Sequence, residues 1–434
     1  MIKSWMTERD QAAEQEMEEE QAREEERDDE REPGETGALV AGLDIGSTKI
    51  CAMIGEVFPD RRVDIIGVGT CPSSGMRKGV VVNIQATVEA IKTAVKKASD
   101  MAGCDINQVY VGIAGSHIKS FDSPGIIAIN NQEVRQKDID AVIQAAQTVK
   151  ISDNQQIIHV LPQEFMVDDH TGIQSPLGMT GVRLVTNVRI VTADMTALHN
   201  LIACCNQAGL TVVEVVLESV AAAEAVLTPE EKDQGVGLID IGGGTTDLAI
   251  FSNGSIKYSW ELALGGNNLT SDLSVGLRTP LQEAEELKYL YGGALSSMIK
   301  ENQMIDVPTV GERKNRKISQ KSMVGILEAR MEEIFQLVDK NITGSGSRNR
   351  INAGLVLTGG TALLPNVVEL AEQVFDMPVR IGYPGNVGGL LEQINTPRTT
   401  TAVGLVLYGS RSKNFAAQEQ GGLLTRLKRW FNGA

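Results

Sequence analysis

The chain has 434 residues, of which 42% are hydrophobic and 22% charged, and this balance is typical of a globular protein with two or more domains. Its formal net charge of −16 argues against a general nucleic-acid binder, so we expect no nucleic-acid partner. The odd count of 5 cysteines and the lack of a signal peptide indicate reduced thiols in a cytoplasm, and no His/Cys cluster suggests zinc.

The first segment, residues 1–37, holds much of the negative charge and is rich in Glu, Asp, Arg and Gln. A single solvated helix is one interpretation, but the segment lacks an apolar stripe. The composition favours an acidic disordered extension. A start codon assigned too far upstream is an open alternative.

The folded part begins with a hairpin pattern at Ala41–Val57, in which an apolar strand ends near Asp44 and a second apolar strand follows the turn. The turn residues are Gly46, Ser47 and Thr48. The elements predicted next are a strand at Val63–Thr70, a helix from about Asn83 to Ala102 and a strand at Val109–Ala114.

Residues 120–195 are predicted to form a separate small unit of strands around one helix. A helix at Thr196–Ala208, a strand at Thr211–Leu217 and an Ala-rich helix at Ser219–Leu227 come after it. The Ala-rich helix is a candidate hinge between two halves of the molecule. Packed small residues in any core give the same pattern, so that alternative stays open.

The central stretch runs from Gly235 to Phe251 and is predicted to be two strands joined by a turn of glycines. Three glycines allow positive φ and remove every β-carbon, so backbone N–H groups can approach a phosphate. Asp240 ends the first strand and is placed to hold a metal-bound water. The turn consists of Gly242, Gly243 and Gly244, followed by the hydroxyl donors Thr245 and Thr246.

A hairpin with a flexible tip is the alternative for one such turn, but the pattern occurs twice. Aligning Asp44 with Asp240 superimposes Asp-Ile-Gly on Asp-Ile-Gly. Two equivalent hairpins that face one ligand would hold the phosphates of a nucleotide from both sides.

A third glycine turn, Gly359-Gly360, ends a buried-type strand and precedes Thr361 and a helix with an apolar face. Between the second and third turns, Glu285 and Lys288 share one face of a predicted helix because they are three residues apart. A surface ion pair is the alternative for these two residues. The other elements predicted here are a basic segment at 302–318, a long helix from Ser319 to about Asn341 and a last helix at Thr399–Tyr408.

The C-terminal residues 422–434 follow a polar linker and are predicted to form an amphipathic helix. Its apolar side chains and its cations suit an anionic membrane surface. A helix that docks on its own core is the alternative. The residues expected to contact the membrane are Leu423, Leu424, Arg426, Leu427, Lys428, Arg429, Trp430 and Phe431.

The order of the three glycine turns resembles the phosphate-1, phosphate-2 and adenosine motifs of the actin, Hsp70 and hexokinase superfamily. Within it, the chain is similar to the FtsA family of bacterial cell-division proteins over about residues 38–434. The motifs that carry this resemblance are LDIGSTK (43–49), IIGVGTCPSSGMRKG (65–79), HVLPQEF (159–165), SPLGMTGVRL (175–184), DIGGGTTDLAIF (240–251) and VLTGGTALL (356–364).

This resemblance implies an α/β, two-lobed actin-like ATPase fold with an FtsA-type extra subdomain in lobe 1. Lobe 1 would comprise a core at 38–119, the FtsA-type subdomain at 120–195 and a second core part with the connecting helix at 196–235. Lobe 2 would comprise core parts at 236–272 and 346–398 around a small subdomain at 273–345. A final core helix at 399–409, a linker at 410–421 and the membrane-targeting helix at 422–434 would complete the chain.

Carried over residue by residue, the resemblance implies a site for ATP and Mg²⁺, with Asp44 and Asp240 holding the metal through water. Glu218 is the candidate that orients the attacking water, although it is equally able to face away. Glu285 and Lys288 would lie near the ribose and base. The remaining nucleotide-binding residues would be Gly46, Ser47, Thr48, Lys49, Gly242, Gly243, Gly244, Thr245, Thr246, Gly359, Gly360 and Thr361.

The family further implies a polymerising protein on the cytoplasmic face of the inner membrane at the division septum. Its partners would be the tubulin-like GTPase FtsZ, further copies of itself, anionic lipid and later division proteins, with at most slow ATPase activity. A phosphotransferase of the sugar-kinase branch is the alternative, but it needs a general base, and the pair Asp168-Asp169 lies away from the glycine turns. An Hsp70-like chaperone would need a peptide-binding domain after the ATPase.

Overall fold

The computed structural model describes residues 37–130, 132–309 and 315–412. The predictions for the acidic extension before Gly37, for the linker beyond Ser412 and for the membrane helix therefore lie outside the described residues. Among the described residues, no helix combines the length and the apolarity that crossing a bilayer requires.

Lobe 1 is built on a six-stranded sheet with the order β11-β6-β1-β2-β3-β19, whose edge strands are β11 (Thr211–Leu217) and β19 (Gly388–Gly389). Its central strands read as nearly continuous apolar runs because helices cover both faces of the sheet. The first elements of the lobe are β1 (Ala38–Ile45), β2 (Lys49–Val57), β3 (Val63–Pro72), β4 (Met76–Arg77), β5 (Val80–Val81), α1 (Ile84–Ala102) and β6 (Gln108–Ile113).

An inserted unit follows β6 and forms a four-stranded antiparallel sheet with the order β7-β10-β8-β9. Its helix packs on this sheet around Val142, Leu184 and Val188, so the unit has a small apolar core of its own. The elements of the unit are β7 (Lys119–Ala128), α2 (Gln136–Gln147), β8 (Gln155–Val167), β9 (His170–Ile173) and β10 (Arg183–Asp194).

The chain then returns to lobe 1 and crosses to lobe 2. The predicted Ala-rich helix begins one residue early, at Glu218, and its alanines are buried where a second helix crosses it. A short helix after it was not predicted, although Thr228 and Glu231 form a capping box there. The elements of this part are α3 (Met195–Gln207), β11 (Thr211–Leu217), α4 (Glu218–Val226) and α5 (Pro229–Gln234).

Lobe 2 is built on a five-stranded sheet with the order β14-β13-β12-β17-β18. Its core lies under the long helix α8 and includes Phe335 and Phe375, whose ring centroids are 5.3 Å apart. The elements of the lobe are β12 (Val236–Ile241), β13 (Thr246–Ser252), β14 (Ser255–Leu262), α6 (Gly266–Leu277), α7 (Leu281–Tyr291), β15 (Met304–Val307), β16 (Arg316–Ser319), α8 (Gln320–Gly344), β17 (Leu355–Thr358), α9 (Val367–Phe375) and β18 (Val379–Ile381).

The two large sheets repeat one pattern. In lobe 1, β1 pairs antiparallel with β2 and parallel with β6. In lobe 2, β12 pairs antiparallel with β13 and parallel with β17. The doubled hairpin predicted from the sequence is confirmed. The last elements are β19 (Gly388–Gly389), α10 (Leu391–Ile394) and α11 (Thr400–Arg411), and α11 packs on α4.

Candidate functional site

A cavity of about 960 Å³ lies where the two hairpin turns meet. It contains most of the residues that the sequence assigned to nucleotide binding. The predicted residues in its lining are Asp44, Gly46, Ser47, Thr48, Lys49, Glu218, Asp240, Gly242, Gly243, Gly244, Thr245, Glu285, Lys288, Gly359, Gly360 and Thr361.

The two turns touch across this cavity. A β-carbon on Gly243 would lie 1.8 Å from Oγ1 of Thr48, and one on Gly244 would lie 2.4 Å from Oγ of Ser47. The glycines of the second turn do not have positive φ, which corrects the sequence interpretation. Glycine is needed here because the opposite turn occupies the space of a side chain.

The second turn is oriented by helix α6. The carbonyls of Gly242 and Gly243 accept hydrogen bonds from the N–H groups of Gly266 (2.9 Å) and Asn267 (2.8 Å). In a trans peptide the carbonyl and the next N–H point in opposite directions, so the N–H groups of Gly243 and Gly244 point away from α6. Backbone donors presented in this way form an anion-binding concavity.

The third turn supports the second. Gly359 has φ of +85°, and a β-carbon there would lie 2.3 Å from Oδ1 of Asp240. The hydroxyl of Thr361 donates to the carbonyl of Gly242 at 3.0 Å. The glycine at 359 is therefore required both by its φ and by the close carboxylate.

Asp44 and Asp240 face the cavity as buried carboxyl groups. Burial raises the pKa of Asp44, and the charge of Lys49 offsets part of this rise. Burial raises the pKa of Asp240 to about 6, and the Thr401 hydroxyl, which donates to Oδ2 at 3.0 Å, opposes the rise. Carboxylate oxygens are ligands that a hard divalent cation prefers, so this pair of carboxyl groups fits such a cation.

No group of three or more His, Cys, Asp or Glu side chains within the described ranges is arranged to hold a metal ion directly. That Asp44 and Asp240 hold a metal ion through water stays a prediction.

Three further carboxyl groups with raised pKa values lie at or next to this site. Glu218 faces the cavity, and burial, followed by the charge of Asp44, raises its pKa well above the usual range. Asp247 was not predicted, although it also lines the cavity, and it lies opposite Glu261 in the sheet register. Burial is the main reason that the pKa values of Asp247 and Glu261 are also raised well above normal. The acid in GGGTTD was a visible signal for Asp247.

Two predicted contacts differ in detail. Thr246 is fully buried outside the lining, and its hydroxyl donates to the carbonyl of Leu264 at 2.9 Å. Its strand position turns it away from the cavity, so the structure does not place it as a hydroxyl donor to a ligand. Lys49 lines the cavity, but its ammonium group donates to the carbonyl of Arg398. Arg398 itself was missed because its segment has no phosphate-binding motif.

The positions of Glu285 and Lys288 are compatible with both interpretations that the sequence left open, an ion pair and a place in the ligand cavity. They form an ion pair with an N–O distance of 2.7 Å, and both line the cavity. The Lys288 ammonium also donates to the hydroxyl of Thr270 at 2.8 Å. These bonds hold the Lys288 side chain, which comes from helix α7, against the start of helix α6.

The acidic pair that a sugar kinase would need as a base has a structural role. Oδ1 of Asp168 accepts the N–H groups of Val182 (3.0 Å) and Arg183 (2.9 Å) in the inserted unit. Asp169 pairs with the guanidinium of Arg183 at 3.2 Å. Neither aspartate lines the cavity.

Two family models match the chain. The model described as "Cell division protein FtsA" matches residues 237–404, and the model described as "SHS2 domain inserted in FTSA" matches residues 115–192. The second match coincides with the inserted four-stranded unit.

A Cell division protein FtsA from Pseudomonas aeruginosa is 43% identical over 411 residues, which cover 92% of this chain and 99% of the relative. Among solved structures, the PilM-PilN type IV pilus biogenesis complex matches with a TM-score of 0.63 at 16% identity, covering 86% of this chain and 99% of the other. MreB5 of Spiroplasma citri bound to ADP matches with a TM-score of 0.50 at 17% identity, covering 84% and 94%. The chain has the two-lobed actin-like ATPase fold and belongs to the FtsA family of cell-division proteins.

Proposed function

We propose that this division protein binds ATP with Mg²⁺ and polymerises on the cytoplasmic face of the inner membrane. There it anchors FtsZ at the septum and helps to recruit later division proteins. The observation that carries the nucleotide part is the pair of equivalent hairpin turns facing each other across one cavity. Its volume of about 960 Å³ is large enough for a nucleotide.

The roles of the residues follow from their chemistry. The N–H groups of Gly243 and Gly244 bind phosphate oxygens, and Asp44 and Asp240 would hold Mg²⁺ through water. The bound cation would neutralise phosphate charge. Glu285 and Lys288 bind the nucleoside end.

The test of this site is Gly243→Val. The new side chain would meet Thr48 at once, since even a β-carbon lies 1.8 Å from its hydroxyl oxygen. We expect calorimetry with Mg²⁺ and ATP to detect binding by the wild type. The affinity of the variant for ATP should be at least about 10-fold lower, because displacing the turn from the phosphates should cost more than about 1.4 kcal/mol of binding free energy. Gly325→Val is the matched control, because Gly325 has nothing within 4 Å of an added β-carbon. Equal affinity in a folded Gly243→Val variant would reject the site.

Hydrolysis is expected to be slow. A carboxyl group that holds its proton is a poor general base, and burial favours the protonated form of Glu218. Glu218 then serves mainly to orient water. Phosphate release should fall in Glu218→Ala and stay at the wild-type rate in the exposed control Glu301→Ala; equal release in both variants would remove Glu218 from the mechanism.

Membrane attachment is assigned to residues 422–434, which lie outside the described residues. Burial of the five apolar side chains contributes roughly 1.5–3 kcal/mol each. Ordering the helix costs roughly 1–2 kcal/mol per residue. The ordering cost offsets most or all of the gain from burial, so one tail binds weakly, and a filament gains roughly 10²–10⁴ in avidity by presenting many tails.

Trp430→Glu tests the membrane assignment. The variant should fail to pellet with anionic liposomes while its ATP affinity stays at the wild-type value. Undiminished pelleting would show that the tail is not the anchor. A loss of ATP affinity would show that the tail belongs to the core.

The FtsZ contact is assigned to the small subdomain at 273–345. Lys317 is exposed there on the β15–β16 hairpin. Lys317→Glu should weaken co-sedimentation with FtsZ filaments, whereas Lys137→Glu on the inserted unit should not. An equal loss of co-sedimentation in both variants would contradict the assignment of the FtsZ contact to residues 273–345.

A sugar kinase remains the second candidate only through the shared fold. ATP consumption should not increase when sugars are added to the protein. A sugar-dependent rate would overturn the assignment as a scaffold.

A further inference from the structure

Arg398 differs from the other cationic residues of the cavity in what its charged group contacts. Three cationic side chains line it: Lys49, Lys288 and Arg398. Lys288 is paired with Glu285, and the ammonium of Lys49 is bonded to a backbone carbonyl. Within the part of the chain that the structure describes, the Arg398 guanidinium makes no ion pair or hydrogen bond and instead lies over the ring of Tyr289.

The backbone around Arg398 is fixed from two sides. The backbone carbonyl of Arg398 accepts a hydrogen bond from the ammonium group of Lys49, which belongs to the first phosphate turn. The carbonyl of Pro397 accepts the N–H of Gly359 in the third turn at 3.2 Å. Arg398 is therefore held between two of the three turns that form the site.

The side chain extends over the third turn. Cγ of Arg398 lies 3.6 Å from the position that a β-carbon on Gly360 would take. Its guanidinium carbon lies 5.5 Å from the ring centroid of Tyr289, a lining residue from helix α7. The cavity lining also includes the apolar residues Leu363, Leu364 and Pro365, which follow the third turn in the chain.

We propose that Arg398 is a nucleotide-binding residue, which stacks on Tyr289 and contacts the nucleoside half of the ligand at the apolar end of the cavity. This inference rests on the proposed function. A planar guanidinium can lie on an aromatic ring and still donate from its edge, which a lysine ammonium cannot do. The pair also joins the segment before α11 to helix α7, so it connects two parts of the cavity wall.

The experiment measures dissociation of a fluorescent ATP analogue from the full chain with Mg²⁺, chased with excess unlabelled ATP. Arg398→Ala should raise the dissociation rate roughly 5- to 30-fold, the size expected for one charge-assisted contact. Arg398→Lys should fall between wild type and Arg398→Ala, because it keeps the charge and loses the plane. The affinities of ATP and ADP should fall by the same factor, since a nucleoside contact is common to both.

Arg62→Ala is the matched control, because Arg62 forms a similar stack on Phe58 at 4.3 Å but does not line the cavity. Thermal melting without nucleotide checks that each variant is folded, as expected for the exposed Arg398. Wild-type dissociation in a folded Arg398→Ala variant would overturn the inference and leave the proposed function standing. A loss confined to ATP, or full retention by Arg398→Lys, would overturn the nucleoside contact. Lack of nucleotide binding by the wild type would overturn both.

Discussion

Asp240 is a buried carboxyl group whose raised pKa makes the stability of the fold depend on pH. Burial raises the pKa of Asp240 from its ordinary value of 3.8 to about 6 in the folded protein. The folded protein therefore binds more protons than the unfolded chain between these values. Ionisation of Asp240 destabilises the nucleotide-free fold as pH rises, and the cost is complete above about pH 6.

Asp240→Asn should therefore stabilise the nucleotide-free protein. The gain at pH 8 is on the order of 2–3 kcal/mol and falls to about half of that at pH 5, where wild-type Asp240 is mostly protonated. Urea unfolding at both pH values measures it, and the exposed control Asp153→Asn should change little at either pH. A pH-independent gain would contradict the assigned pKa. Binding of ATP with Mg²⁺ should weaken in the same variant.

At the scale of elements, small residues let helices α4 and α11 cross closely. A β-carbon on Gly404 would lie 1.9 Å from the carbonyl oxygen of Ala221. Gly404→Ala should destabilise the fold by roughly 1–3 kcal/mol, because the helices must separate. Gly325→Ala on α8 has open space around the new methyl group and should stabilise by up to about 1 kcal/mol. Thermal melts that rank the two variants the other way would contradict this packing.

At the scale of the whole molecule, the inserted unit contacts both lobes. His159 of β8 accepts the N–H of Leu217 in lobe 1 at 2.9 Å. Toward lobe 2, the hydroxyl of Ser120 donates to the carbonyl of Ser259 at 3.0 Å, and that of Ser255 donates to the carbonyl of Gln163 at 2.8 Å. The inserted unit therefore contacts lobe 2 along strand β14, which is an edge strand of the lobe 2 sheet.

Removing these hydroxyl groups should loosen strand β14. In the double variant Ser120→Ala, Ser255→Ala, amide hydrogen exchange in 253–262 should become roughly 5- to 30-fold faster, since each bond contributes about 1 kcal/mol. Thr93→Ala, which removes a hydroxyl bonded within helix α1, should leave exchange in 253–262 unchanged. Unaltered exchange in the double variant would mean that the contact does not restrain β14.

Local patterns in the sequence determined most elements and the three glycine turns. Alternating or continuous apolar runs and the caps Asn83 and Gly103 act within a few residues, so they can be recognised without the fold. The repeat of Asp-Ile-Gly at Asp44 and Asp240 identified the two hairpin turns that meet at the cavity for the same reason. The family resemblance supplied the interpretation of the three turns as phosphate-1, phosphate-2 and adenosine motifs, and of the inserted unit as the FtsA-type subdomain.

Only the tertiary structure decided which side chains meet at the cavity. Arg398 is 349 residues from Lys49 in sequence, and no local signal indicates that they lie together. Thr246 and Asp247 are neighbours in one strand, so their side chains lie on opposite faces of the lobe 2 sheet. Thr246 lies away from the cavity and Asp247 lines it, and what packs against each face decides this. The raised pKa values also arise from burial by distant segments, which is a property of the assembled lobes rather than of any motif.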